Sequence, residues 1–296
     1  MQPIVVSTAN PDRPSGLRAG QTLTLQDGGE LGDNFAVVGA TLNVEGGSVG
    51  NDAAAVNSVV NISGGSVGGG SPFGSFTAFT GSEINLSGGT LSSFADANSG
   101  SVVNVSGGTL GSFFTANAGS EINISGGTVE TGFLVNRNGV VNISGGDIGG
   151  SFNAGSGSAV NLFGSEFFLG RAPLDDLTPG EPFTIDLRFS NLELSGLLVD
   201  GTPFSFELSF DNMFTELGRG GFFAPDATVT VTLVTPAPEV ILGDCDQNGV
   251  VDFSDISAFV GVLSSGTFLA QADCDQDGEV TFADIPLFVS FLLSDN

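Results

Sequence analysis

The sequence predicts a mainly β protein: a parallel β-helix of coils about 19 residues long, a β-rich cap behind it, and a small α-helical module at the C-terminus. Three observations carry this. A hexapeptide of the form apolar-Asn-apolar-Ser-Gly-Gly returns at near-constant spacing through the first half of the chain. Glycine (46) and phenylalanine (26) are both abundant among 296 residues, and such glycine content suits a chain that turns often. Two acidic twelve-residue segments near the C-terminus repeat one another, and each is followed by apolar residues at helical spacing.

The repeat starts at Leu42-Asn43-Val44-Glu45-Gly46-Gly47 and returns as Val60-Asn61-Ile62-Ser63-Gly64-Gly65. Further copies centre on Asn85, Asn104, Asn123 and Asn142, and a degraded copy, Val160-Asn161-Leu162-Phe163-Gly164, closes the series. Successive asparagines are 18, 24, 19, 19, 19 and 19 residues apart, the 24 holding an insertion around residues 68–74. Within one copy, Ser120-Glu121-Ile122-Asn123-Ile124-Ser125 alternates with period two, which predicts a short strand with both isoleucines inward. Gly126-Gly127 turns the chain, Thr128-Val129-Glu130 forms a second strand and Gly132-Phe133-Leu134-Val135 a third, before a corner at Asn136-Arg137-Asn138-Gly139. Strands this short cannot bury an apolar face alone, whereas stacked coils can.

Phe76, Phe114, Phe133 and Phe152 each lie nine residues before a repeat asparagine, and Phe94 lies ten before its own. With coils about 4.8 Å apart, these rings are expected to form an interior ladder. A sugar-stacking platform is the functional alternative, but such surfaces favour Trp and Tyr, which the chain lacks. The asparagine row is expected to be an amide ladder between coils. Its alternatives are glycosylation of the Asn-x-Ser sequons and an outward array matched to an ice or polymer lattice.

Composition removes several chemistries. The chain has no His, no Trp and no Tyr, and its six basic residues, all Arg, face 33 carboxylates for a formal charge of −27. Histidine-dependent catalytic triads and metal sites, and lysine Schiff bases, are therefore excluded. Nucleic acid is not an expected partner, because phosphate binding needs basic residues to displace counterions. No run approaches the ~20 apolar residues of a membrane span, and Met1-Gln2-Pro3-Ile4-Val5-Val6 does not read as a signal peptide.

The expected organisation is an N-terminal cap or first coil over 1–34, repeats over 35–164, a β-rich cap over 165–236 and the helical module over 237–296. In the cap, period-two runs occur at Phe183-Thr184-Ile185-Asp186-Leu187-Arg188, Asn191-Leu192-Glu193-Leu194, Pro203-Phe204-Ser205-Phe206-Glu207-Leu208 and Thr228-Val229-Thr230-Val231-Thr232-Leu233. Asp200-Gly201 is placed for a hairpin turn. A solenoid end exposes strand edges that such a segment would cover.

The chemistry-bearing motif is C-terminal. Asp244-Cys245-Asp246-Gln247-Asn248-Gly249-Val250-Val251-Asp252-Phe253-Ser254-Asp255 carries oxygen side chains at loop positions 1, 3, 5, 9 and 12, with Gly at position 6. The pattern returns 29 residues later as Asp273-Cys274-Asp275-Gln276-Asp277-Gly278-Glu279-Val280-Thr281-Phe282-Ala283-Asp284. This is the spacing of EF-hand calcium loops, in which a glycine at 6 permits the sharp turn and position 7, here Val250 and Glu279, offers its carbonyl. Two Ca²⁺ ions are expected. Both loops end in Asp rather than Glu, and the shorter arm suits the millimolar calcium found outside cells.

A loop–helix pair duplicated behind Thr235-Pro236-Ala237-Pro238-Glu239 resembles a type I dockerin, from about Ile241 to the end. The 19-residue Gly-Gly coils, over about 40–162, likewise resemble repeats of bacterial autotransporter passenger domains. The dockerin resemblance implies that Asp244, Asp246, Asn248, Asp252 and Asp255 ligate one calcium, and Asp273, Asp275, Asp277, Thr281 and Asp284 the other. It implies a secreted or cell-surface bacterial protein whose module docks onto a cohesin-like partner, often within a polysaccharide-degrading system. The partner-reading Ser/Thr pair of cellulosomal dockerins is replaced by Phe253-Ser254 and Phe282-Ala283, and the helices carry no basic residue. Cys245 and Cys274 share loop position 2, and a bridge between them is left open by spacing.

The leading reading is thus an extracellular, non-catalytic β-solenoid with a calcium-dependent docking module for assembly on a cell-surface or matrix component. The alternative is a polysaccharide lyase or glycoside hydrolase. Glu83 and Glu121, two coils apart, are its nearest approach to a carboxylate pair. An ice- or surface-binding solenoid is the third.

Overall fold

In a computed structural model, residues 4–11, 13–69, 75–186, 192–209, 220–235 and 240–294 are described. The expected strand residues Leu187, Arg188 and Asn191, most of the insertion at 68–74, and the linker residues 236–239 lie outside them. The chain divides into two compact units, Met1–Thr235 and Pro236–Asn296.

The first unit is a parallel β-solenoid of about eight coils. Each regular coil lays down strands on three faces. On the first face, Thr41–Val44, Val59–Ile62, Glu83–Leu86 and the starts of Val102–Leu110, Glu121–Val129 and Val140–Ile148 pair in parallel, with every repeat asparagine opposite the next. The pairing of Asn61 with Asn85 preserves this register across the longer spacing. Two further coils precede the recognisable repeat. Ile4–Val6 pairs with Leu23–Leu25, and Leu23 with Leu42. Thr24 stands in the asparagine position there, which hides these coils from the motif.

Gly126-Gly127 turns the chain between the first and second faces for a steric reason. A Cβ on Gly126 would sit 2.6 Å from the Ser106 carbonyl oxygen, and one on Gly127 would sit 2.8 Å from Gly107 and Gly108 backbone atoms. Gly127 also has φ of 80°, where side-chain-bearing residues are strained. Coil stacking at this corner brings backbone against backbone, and only glycine fits.

The interior is filled by the inward residues of all three faces. Phe114, Phe133 and Phe152 stack as a ladder with ring centroids 5.5 and 5.1 Å apart, and Phe76 is buried in the same row. Phe94 departs from the expectation. It lies outside, 39% exposed, and Ala95 takes the interior position. Its offset of ten rather than nine residues explains this, because a shift of one reverses the face a strand residue points to. Phe94 instead stacks on Phe113, with centroids 5.0 Å apart and planes at 14°, and both residues have φ of 60°.

The asparagine row is an amide ladder. Each Nδ2 donates to the Oδ1 one coil below, from Asn61 to Asn43 at 2.9 Å through Asn161 to Asn142 at 2.8 Å. Glu83 and Glu121 accept bonds from ladder amides, Asn85 at 3.2 Å and Asn142 at 3.5 Å. A second ladder, not anticipated from the repeat, runs along the corner between the third and first faces. Asn117 donates to Asn98 at 3.1 Å and Asn136 to Asn117 at 2.8 Å.

The segment after Gly164 continues the solenoid and then closes its end. Thr228–Leu233 adds a parallel rung against Ala159–Leu169, and the Thr230 hydroxyl ends the first ladder by donating to Asn161 Oδ1 at 2.7 Å. Gly220–Phe223 extends the third face beyond Phe152–Ala154. The hairpin of Leu192–Leu198 and Pro203–Ser209 turns at Asp200-Gly201 and brings Phe206 to 5.2 Å from Phe152, capping the aromatic row.

Asp200 ties this hairpin to the coils, accepting from Gly146 N at 2.7 Å and Thr202 N at 2.9 Å. Partial burial pushes its pKa up, but the N–H bonds of Thr202 and Gly146 outweigh that and hold it below the ordinary carboxylate value. A depressed folded-state pKa adds stability above the unfolded value of about 3.9, and that stability is lost as pH falls through the folded pKa. Asp200→Asn is therefore expected to lower the urea midpoint at neutral pH, with the gap to the parent closing as pH falls below the ordinary carboxylate range. A gap that stays constant across this range would contradict the assignment.

Candidate metal centre

Within the C-terminal unit, each acidic loop leads into a helix, Asp255–Ser265 and Ile285–Ser294. The first ends at Gly266, whose φ of 67° lets its N–H reach the Val262 carbonyl at 3.1 Å. The apolar stripes meet in a small core of Phe259, Phe288, Leu292, Ala272 and the two cysteines. Phe259 and Phe288, equivalent in the duplication, stack with centroids 4.0 Å apart and planes at 5°. The duplication in sequence is thus a duplication in packing.

The loops are wired alike. Asp244 accepts from Asn248 N at 3.0 Å and Gly249 N at 2.9 Å, and Asp273 accepts from Asp277 N at 3.1 Å and Gly278 N at 3.0 Å. Asp255 accepts from Asp246 N and Asp252 N, both at 2.9 Å, while Asp284 accepts from Asp275 N at 3.1 Å and Thr281 N at 2.7 Å. Asn248 and Asp277 each accept from the N–H two residues on, at 2.9 Å. The turn glycines match as well, Gly249 at φ 90° and Gly278 at φ 91°. Asp255 and Asp284 are fully buried, and each fastens the start of its loop to the end.

The first loop brings Asp244, Asp246 and Asp255 together, and the second Asp273, Asp275 and Asp277, with ligand atoms all within 4.8 Å of one another. Either cluster can hold a metal ion. The donors are all oxygen, which suits a hard cation, and a calcium sphere of radius about 2.3–2.6 Å spans such a set. Asp252 accepts from Ser254 N at 2.7 Å, and the Thr281 hydroxyl oxygen from Ala283 N at 3.1 Å.

In the second cluster, partial desolvation of the exposed Asp275 carboxylate and the neighbouring Asp277, Asp284 and Asp273 charges hold its pKa above the ordinary value, against the Asp277 N–H bond. Asp284 lies below the ordinary value, because bonds from the Thr281 and Asp275 N–H groups outweigh its burial. Asp252 is also lowered, by the Ser254 hydroxyl and N–H.

Cys245 and Cys274 are buried free thiols, each 3.9 Å from the Gln271 carbonyl oxygen. Burial, together with surrounding carboxylates, pushes them up to about 12 and about 11. The thiolate is the reactive form, so neither is expected to react with a disulfide reagent at pH ~8 in the folded protein, and both should react once it is denatured. Rapid labelling of the native chain would contradict this placement.

Among the described residues, no helix is long and apolar enough to cross a membrane. Comparisons with protein families, curated proteins and solved structures return no match. The dockerin resemblance therefore rests on the duplicated loop–helix sequence alone.

Proposed function

We propose that the C-terminal unit binds two calcium ions and docks an extracellular, non-catalytic bacterial β-solenoid onto a cohesin-like or cell-surface partner. The observation that carries this reading is the matched wiring of the two loops: the same acceptors, donors and positive-φ glycines recur although the intervening residues differ. The ligand sets are Asp244, Asp246, Asn248, Asp252, Asp255 and the Val250 carbonyl, and Asp273, Asp275, Asp277, Thr281, Asp284 and the Glu279 carbonyl.

Neutralising these clusters offsets the mutual repulsion of their carboxylates, so calcium is expected to stabilise the unit's fold. The short Asp at position 12 fits an environment with constant millimolar calcium, which supports secretion. Such a partner, and a place in polysaccharide degradation, follow from the dockerin resemblance. Circular dichroism of the full chain should gain helical signal when calcium replaces chelator, and the chain should be retained on immobilised cohesin modules or cell-wall material only with calcium. Retention unaffected by chelator would reject calcium-dependent docking.

A further inference from the structure

The corner between the third and first faces carries a shallow groove of about 490 Å³, lined by Thr80, Asn98, Ser99, Asn117, Ala118, Asn136 and Arg137. Its floor is the second amide ladder. The preceding residues Ala78, Ala97, Ala116 and Val135 are aligned by strand pairing, so Phe79, Asn98, Asn117 and Asn136 occupy one row along the solenoid axis. Phe79 is 41% exposed. Phe79 does not line the groove itself; it precedes the lining residue Thr80 and continues the row of three amides by one coil beyond the groove's end.

An amide has two donors and two acceptor lone pairs, and the ladder uses at most one donor and one acceptor at each asparagine. Asp96, on the adjoining face, bonds Asn117 and Thr115. Five of the seven lining residues carry a hydroxyl or an amide beside apolar side-chain surface, and Arg137 is the one charged lining residue.

We propose that this groove binds a linear, uncharged polysaccharide, one sugar ring per coil, with Phe79 stacking against a ring face and the amides meeting hydroxyls. The coil spacing selects among polymers. In an extended peptide, like-facing groups recur at roughly 6.6 Å, twice the strand rise, which falls out of step with coils about 4.8 Å apart. A β-linked pyranose chain advances by close to one coil per ring. Polyanions are disfavoured by a chain of formal charge −27 with one arginine in the groove. The aromatic supplies an apolar face beside polar edges, the combination that a sugar ring complements. This site belongs to the solenoid and does not depend on the calcium reading.

The test is affinity electrophoresis of the full chain through gels holding hydroxyethylcellulose, glucomannan, arabinoxylan or polygalacturonate, with and without chelator. At least one neutral polymer is expected to retard the protein equally in both conditions. Ala118→Trp, which fills the groove without altering a ladder amide, should weaken retardation at least tenfold, and Phe79→Ala several-fold. Glu45→Trp, on another face, should leave it unchanged. Unaltered melting curves would exclude unfolding as the cause. The proposal is overturned if no neutral polymer retards the chain, if Ala118→Trp binds like the parent, if chelator abolishes binding, or if polygalacturonate binds most tightly.

Discussion

Replacing Asp255 and Asp284 together with alanine is expected to abolish calcium binding by the full chain, and each single replacement to remove one site. Both carboxylates are fully buried and each holds two backbone N–H groups of its own loop. Alanine removes a proposed ligand and also leaves those N–H groups without acceptors, at roughly 1–3 kcal/mol for each one left buried and unsatisfied. Asp255→Asn and Asp284→Asn separate the two effects: a shape-matched amide retains part of the wiring but lacks the charge. The asparagine variants should keep their helices at saturating calcium yet bind it at least ~10-fold more weakly. Calorimetric titration reads both quantities. Parent-like affinity in the double alanine variant would reject these residues as ligands.

The second large effect lies in the solenoid. Phe133→Ala should cost about 3–5 kcal/mol, because the ring is buried between Phe114 and Phe152 and coils held in register above and below cannot close the cavity. Phe113→Gly, twenty residues away, should cost less than about 1 kcal/mol. That residue is 51% exposed, and relief of its positive φ offsets the lost stacking on Phe94. Urea unfolding of the two variants compares these values directly. Equal losses would mean that the outer stack is as important to the fold as the inner ladder.

The solenoid was legible because its constraints are local and periodic. Backbone crowding requires Gly-Gly at one corner, ladder geometry requires Asn at one position, and alternation places the isoleucines and valines inward. Where a copy keeps the physics but changes the letters, the signal disappears. Thr24 and the strand at Ile4–Val6 pair like any other rung without carrying the motif. Phe94 was misplaced because residue type suggested an interior ring while the count to Asn104 was one too many. The second amide ladder was missed because Asn98, Asn117 and Asn136 sit at a corner, where no apolar alternation marks them.

In the C-terminal unit, the glycine at position 6 and the carboxylate spacing predicted the loop conformation, and Gly249 and Gly278 adopt the expected positive φ. The shared hydrogen-bond acceptor of the two thiols was not legible, since Gln271 lies outside both loops. The cap was partly legible. Its alternating strands and Asp200-Gly201 turn were readable, but not the return of Thr228–Leu233 as a further rung, because parallel pairing over so long a separation leaves no local mark.

On the proposed function, the duplicated loops form a pair of calcium sites. Calorimetric titration of the full, calcium-stripped chain with calcium, repeated with magnesium, tests it most directly. Two calcium ions bound per chain, with magnesium a weak competitor, is the predicted result. No binding at millimolar calcium would contradict it.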